Sequence, residues 1–231
     1  MLSDKVALVT GATGGVGPAV VRGLAQAGAA IVAVARHSEA LAELEQQAGV
    51  PADRWLAYAA DLADLEQARA TVQAAEDRFG RVDILAAVAG GWRGGAVVDT
   101  PSDTVDWLWR INFITAFNAM QAVLPGMIAR NSGRIITLAA RSALGGQARS
   151  AVYAASKAAV LALTQSVAAE NRNHGITANT LLISTADTAT NRHVMPNVDT
   201  SRWVSPAQIA ATIVFLCSDE AGAINGAAIP L

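Results

Sequence analysis

Cysteine is nearly absent from this chain: Cys217 is the single one among 231 residues, so no disulfide can form within it. It ends the apolar run IVFLC, where a thiol behaves as a small buried hydrophobe, and no metal-ligand cluster surrounds it in sequence. Charge is scarce as well. Charged residues are 16% of the chain, and 17 basic against 19 acidic side chains leave a net charge of −2. That balance gives no positive footprint for nucleic acid or an anionic membrane surface. Long apolar runs are missing too. The longest uncharged stretch, Ile111 to Ala129, is broken by Asn112, Thr115, Asn118, Gln121 and Pro125, which predicts a buried helix and not a membrane span. The opening residues MLSDKVALVT lack the basic and then apolar segments of a secretory signal, so a cytoplasmic location is expected. With no linker, low-complexity tract or internal repeat, one domain over 1–231 is expected.

What the chain has in quantity is hydrophobic material, 52% of its residues, enough to bury a large core. Strand-like runs at 5–10, 30–35, 55–59, 82–89, 134–139 and 176–183 alternate with Ala- and Leu-rich helical segments near 16–28, 38–48, 64–79, 103–130, 151–173 and 205–218. The strands are apolar throughout, as strands covered on both faces must be. The alternation predicts an α/β fold: a Rossmann-like, doubly wound parallel sheet of about seven strands with helices on both faces, the last strand near 224–230.

The first strand runs into TGATGGVG, placing Gly11, Gly15 and Gly17 between a strand and a helix. Glycines there permit a tight turn, close backbone approach to a pyrophosphate and close packing of the helix on the sheet. The helix start then offers free N–H groups to phosphates. No Walker-type Lys-Ser/Thr follows, which argues against a nucleotide triphosphatase. At the end of the second strand, where an acid commonly meets the ribose hydroxyls, stand Ala35, Arg36 and His37, with no acid before Glu39. A guanidinium pairs with a 2′-phosphate that a carboxylate would repel, so NADP(H) is favoured over NAD(H). The plainer reading of Arg36 is a solvated charge at a strand end.

In YAASK, Tyr153 and Lys157 stand at i and i+4 of a helical segment and so share one face. A phenol titrating near 10 is a poor acid–base catalyst at neutral pH, and a fixed ammonium beside it favours the phenolate. The plainer reading is an ordinary helix with a buried tyrosine and an exposed lysine.

Together the glycine turn and YAASK resemble the short-chain dehydrogenase/reductase family, over nearly the whole chain. The resemblance implies hydride transfer between a nicotinamide cofactor and a small carbonyl or imine/quinonoid substrate. It implies that Gly11, Thr13, Gly14, Gly15, Val16 and Gly17 form the cofactor turn, with Asp61 and Leu62 beside the adenine and Ala89 and Gly90 after the fourth strand. Tyr153 is then the acid/base, Lys157 its electrostatic partner and ribose clamp, and Asn112 in WRINFIT the support of a water relay to the lysine. Ile183 and Thr188 would contact the nicotinamide. Asp61 has a plainer reading as the N-cap of the next helix, and Asn112 as a packing or helix-kink amide. Family members assemble as dimers or tetramers, and the apolar segments 103–130 and 151–173 fit a homotetramer.

Three departures stand out. Ala87-Val88-Ala89-Gly90 replaces the family's N-N-A-G, Ile183-Ser184 replaces its P-G, and Ala140 occupies the place of the serine thirteen residues before the tyrosine. Ser142 or Arg141 is the candidate substitute. The stretches VAGGWRGG, TLAARSAL and NRHVMPNVDTSRW resemble short-chain-type dihydropteridine reductases, which would put Trp92, Arg93 and Trp203 at the substrate cleft, whereas Arg36 points away from that group's preference for NADH. Trp203 has an equally plain reading as a loop anchor. From a different class, the missing serine and asparagines are also what a nucleotide-binding scaffold without catalysis would show.

Overall fold

The structure is a computed structural model and describes residues 2–231. Seven strands lie in one sheet: β1 (Val6–Thr10), β2 (Ala30–Ala35), β3 (Trp55–Ala59), β4 (Ile84–Ala87), β5 (Gly133–Ala140), β6 (Ile176–Ile183) and β7 (Ala228–Pro230). Their order is β3-β2-β1-β4-β5-β6-β7, and every neighbouring pair is parallel. The order reverses between β1 and β4. A crevice therefore opens beyond the carboxyl ends of those strands, which is where open α/β sheets bind ligands.

Helices cover both faces, and alternation along the strands decides which residue meets which layer. Ala7, Val9, Ile31 and Ala33 pack with Val20, Val21 and Leu24 of α1 (Gly17–Gln26), Leu41 and Leu44 of α2 (Ser38–Ala48), and Ile209 and Ile213 of α8 (Pro206–Cys217). Val6, Leu8, Val32 and Val34 face the other way. They meet Val72 of α3 (Leu65–Phe79), Met120, Val123 and Met127 of α5 (Thr115–Arg130), and Val167 of α6 (Ala151–Glu170). The apolar strands of the sequence are thus buried from both sides, and Cys217 lies in the first of these layers with its thiol pushed up to about 12 by burial.

The segment anticipated as one helix over 103–130 is three. After α4 (Ser102–Leu108), residues Trp109–Ile114 form a π-helical turn before α5 begins. Such a turn inserts an extra residue into the helical repeat and turns side chains off the expected face, and here it buries Asn112. Pro125 lies inside α5 without ending it. By length and composition, Ser102–Arg130 and Ala151–Glu170 suffice to cross a membrane, yet nearly half of each apolar window is buried within the protein. Helix α6 is tied to the sheet by a buried hydroxyl chain. Thr137 Oγ1 on β5 lies 3.0 Å from Thr164 Oγ1 on α6 and 2.9 Å from Thr180 Oγ1 on β6.

Two further boundaries differ from expectation. The fourth strand spans only Ile84–Ala87 because Val88 N–H turns back to the Ala86 carbonyl. The last spans Ala228–Pro230 and not 224–230, since Gly226 adopts φ +73 and breaks the extended run. A short helix, α7 (Ala189–Val194), occupies a stretch read as loop; Thr188 caps it by accepting from Asn191 N–H.

Candidate functional site

The glycine turn closes by backbone approach. Gly11 adopts φ +62, and a Cβ there would stand 2.7 Å from the Ala89 Cα. At Gly17 a Cβ would meet the Gly11 carbonyl at 2.3 Å, so α1 can start only against a bare backbone. Pro18 in the first turn has no N–H, and Ala19 and Val20 N–H both donate to the Val16 carbonyl, which leaves the Gly17 N–H at the start of α1 without a backbone acceptor. At Gly15 a Cβ would lie 2.8 Å from the Thr188 methyl: the cap of α7 rests on the glycine turn. Turn and cap therefore form two sides of one narrow cradle.

A cavity of about 250 Å³ continues from the turn across β2 and β3. Gly11, Thr13, Gly14, Arg36, Asp61, Leu62, Ala89 and Gly90 all line it. These are eight of the residues singled out in the sequence. Asp61 is not the helix cap of its alternative reading. Asp64 caps α3, accepting from Glu66 and Gln67 N–H. Asp61 instead accepts from Ala63 N–H at 3.0 Å and from Arg110 Nη2 at 2.9 Å, and its pKa is lowered although partial burial opposes this. Glycine positions that a Cβ would fill, a free amide at a helix start and a cation beside the adjoining strand end suit the diphosphate and ribose of a dinucleotide.

The other end of the crevice is organised by Gly90. A Cβ there would stand 2.8 Å from Asn112 Oδ1 and 2.9 Å from Lys157 Nζ. Asn112, 1% exposed, accepts from Gly91 N–H at 3.0 Å and donates from Nδ2 to the Gly91 carbonyl at 3.1 Å and to Ser156 Oγ at 3.0 Å. Ser156 Oγ in turn donates to the Tyr153 carbonyl at 2.8 Å. The asparagine thus fastens the loop after β4 to the first turns of α6, where Tyr153 and Lys157 lie.

Lys157 Nζ donates to the Leu138 carbonyl at 3.0 Å. Burial pushes Tyr153 up to about 12 and Lys157 down to about 8. Desolvation drives both shifts, Lys157 being buried and Tyr153 half-buried. Tyr153 therefore holds its proton and is a weaker acid than a free phenol, so proton release needs the Lys157 charge.

The substrate side is less closely knit. Ala140, paired in register with Ile183, is buried with no hydroxyl to offer, and Arg141–Ala143 forms a tight turn directly after it, Arg141 exposed and Ser142 half-buried. Trp92 is 60% exposed and lines a second cavity of about 320 Å³ with Arg93. Gly95 N–H donates to the Arg149 carbonyl at 2.8 Å, so the 91–95 loop is anchored just before α6. Trp203 is half-buried beside a bridge between Ala186 and Val204 and lines neither cavity.

Two residues escaped the sequence reading. Arg110 comes from a segment 49 positions beyond Asp61, and only the fold brings them together. Trp107 lines the cavity beside the glycine turn, is overlain by the Arg93 guanidinium at 4.2 Å, and packs where a Cβ on Gly91 would come within 2.4 Å of its ring. The usable signal for Trp107 was the glycine pair, Gly90-Gly91.

Comparison with known proteins agrees with this geometry. A model described as short chain dehydrogenase matches residues 5–199. A 3-oxoacyl-acyl-carrier-protein reductase of Vibrio harveyi is 31% identical over 97% of this chain and 94% of its own length. The D-threitol dehydrogenase of Mycolicibacterium smegmatis is 33% identical over 98% and 90%. The crystal structure of an NAD+-bound xylitol dehydrogenase superposes with a TM-score of 0.89 at 27% identity, covering 100% of this chain and 98% of that one. A glycine cradle at the β1–β4 reversal, and a match that includes the tyrosine–lysine helix, leave one conclusion: the chain belongs to the short-chain dehydrogenase family of oxidoreductases.

Proposed function

We propose that this chain, acting as a single domain, is an NADP(H)-preferring reductase of small carbonyl or imine/quinonoid substrates, with Tyr153 as proton donor. The observation that carries the reading is the pair on α6, half-buried Tyr153 one turn before buried Lys157, whose ammonium is held beside Gly90 after β4 and bonded to the Leu138 carbonyl of β5. A bound nicotinamide supplies the hydride. Gly11 to Gly17 would hold its diphosphate, Arg36 the 2′-phosphate, Asp61 and Leu62 the adenine, and Ile183 and Thr188 the carboxamide, with Ala89 and Gly90 lining the groove between the two ends. Lys157 would bind the nicotinamide ribose hydroxyls and, while charged, favour proton release from Tyr153. Asn112 is a positioning residue that keeps α6 in register with the loop after β4.

Ala140 removes one donor from the place where a carbonyl oxygen would be polarised. That favours substrates already easy to reduce, and the exposed Trp92 offers a flat apolar surface for a conjugated ring. A quinonoid dihydropteridine is the more specific form of this reading, with Arg36 against it. Assembly into a dimer or tetramer is proposed through the α4–α5 face, where Trp109 and Phe117 are exposed and Phe113 stacks on Phe117 and is tilted against Trp109.

Turnover with NADPH and NADH on ketones, aldehydes, quinones and quinonoid pterin tests the reading. NADPH-driven reduction of conjugated substrates is expected, and Arg36→Asp should shift the preference toward NADH by about tenfold. Cofactor binding without turnover on the whole panel would make the chain a nucleotide-binding scaffold instead.

A further inference from the structure

The adenine end of the groove carries a charge arrangement drawn from three separate elements. Arg36 follows β2, Asp61 follows β3, and Arg110 comes from the π-helical turn; all three line the same cavity, together with His37. Ala35 pairs in register with Ala59, so the two strand ends run side by side, about 5 Å apart. Arg36 is near enough to act electrostatically on Asp61. Were these two alone, one cation would face one anion. A phosphate held by Arg36 would then also feel the Asp61 carboxylate, and the glycine turn brings no basic side chain to offset it. Arg110 alters that balance. Its Nη2 donates to Asp61 Oδ2 at 2.9 Å, so two guanidiniums and one carboxylate leave the cluster with one net positive charge.

We infer that Arg110 is a specificity-determining residue for the cofactor's 2′-phosphate: it engages the Asp61 carboxylate, cancels its repulsion and keeps this end of the groove cationic. The inference rests on the NADP(H) reading above. Asp61 is not thereby withdrawn from the adenine, because each carboxylate oxygen has a second acceptor position beyond the bonds to Ala63 N–H and Arg110. The ion pair is well exposed, 57% and 39% for the two side chains, so its loss should leave the fold intact.

Calorimetric titration of the full chain with adenosine 2′,5′-bisphosphate and with adenosine 5′-monophosphate separates this role from general shaping of the pocket. Arg110→Gln should weaken the bisphosphate about tenfold and the monophosphate by less than about twofold. Arg110→Lys should recover much of the loss, and adding Asp61→Asn to Arg110→Gln should recover part of it, since the uncancelled carboxylate is then gone. Equal weakening of both ligands, or no change in either, overturns the inference. If wild type still prefers the bisphosphate in that case, the Arg36 reading stands without it. A wild-type chain with no such preference overturns both.

Discussion

At the glycine turn after β1, the crevice is built from backbone. Gly11, Gly15 and Gly17 sit where no Cβ fits, the strands behind them are sealed on both faces, and the Gly17 amide at the start of α1 is fixed by the fold. Beyond β4, β5 and β6, the groups proposed to meet a substrate are loop side chains. Trp92, Arg141 and Leu144 are exposed, Ser142 follows a strand that ends in alanine, and α7 is a six-residue helix resting on the glycine turn. Between the two ends lies α6, anchored by Asn112 above and by the threonine chain below. A nucleotide presents the same diphosphate to every relative, so its site can be rigid backbone. A substrate varies, and the residues that meet it stand on segments that change without disturbing the sheet.

The largest effect that sharpens this contrast is expected at Lys157, which joins the two ends. Lys157→Met should lower turnover about 10²–10³-fold by removing a preorganised charge. It should also stabilise the fold. Lysine titrates near 10.5 when free of the fold but near 8 within it, so between those values the unfolded chain binds a proton that the folded chain lacks. Wild-type stability should therefore rise from about pH 8 to pH 9, above which buried Cys217, raised from 9.0 to about 12, offsets the lysine. Above pH 10 Tyr153, raised to about 12, acts in the opposite sense, because the folded chain then keeps a proton that the unfolded chain loses. In Lys157→Met the rise should vanish, with a gain at neutral pH of up to about 3 kcal/mol. Denaturant melts at several pH values check both.

A smaller effect is expected at Gly15. The Gly15→Ala methyl would press on Thr188 Cγ2, an overpacking that should weaken cofactor binding about tenfold. Thr188→Ser removes the opposing methyl, and the double variant should bind more tightly than Gly15→Ala alone in the same titration. The smallest effect is expected on the substrate side. Ala140→Ser should raise turnover on simple ketones by about two- to tenfold through one added hydrogen bond, and leave quinonoid substrates nearly unchanged. A uniform gain on both would mean that the missing hydroxyl does not set the substrate class.

The same contrast explains what the sequence made legible. Apolar strands alternating with helices gave the sheet, its parallel sense and the place of the glycine turn, because burial on both faces writes directly into composition. Asn112 was found as a residue but not as a junction: nothing in WRINFIT signals a π-helical turn, which carries neither glycine nor proline. Arg110 and Asp61 meet only after two crossovers have formed. The spacing of Tyr153 and Lys157 was readable, but their protonation was not, because desolvation depends on how tightly α6 packs on the sheet.

The central claim, that Tyr153 donates the proton in a reduction driven from this groove, is tested most directly by Tyr153→Phe. NADPH oxidation at saturating conjugated substrate should fall about 10²–10⁴-fold, while calorimetric cofactor affinity stays within about twofold of wild type. Full turnover by Tyr153→Phe with binding intact would contradict the account.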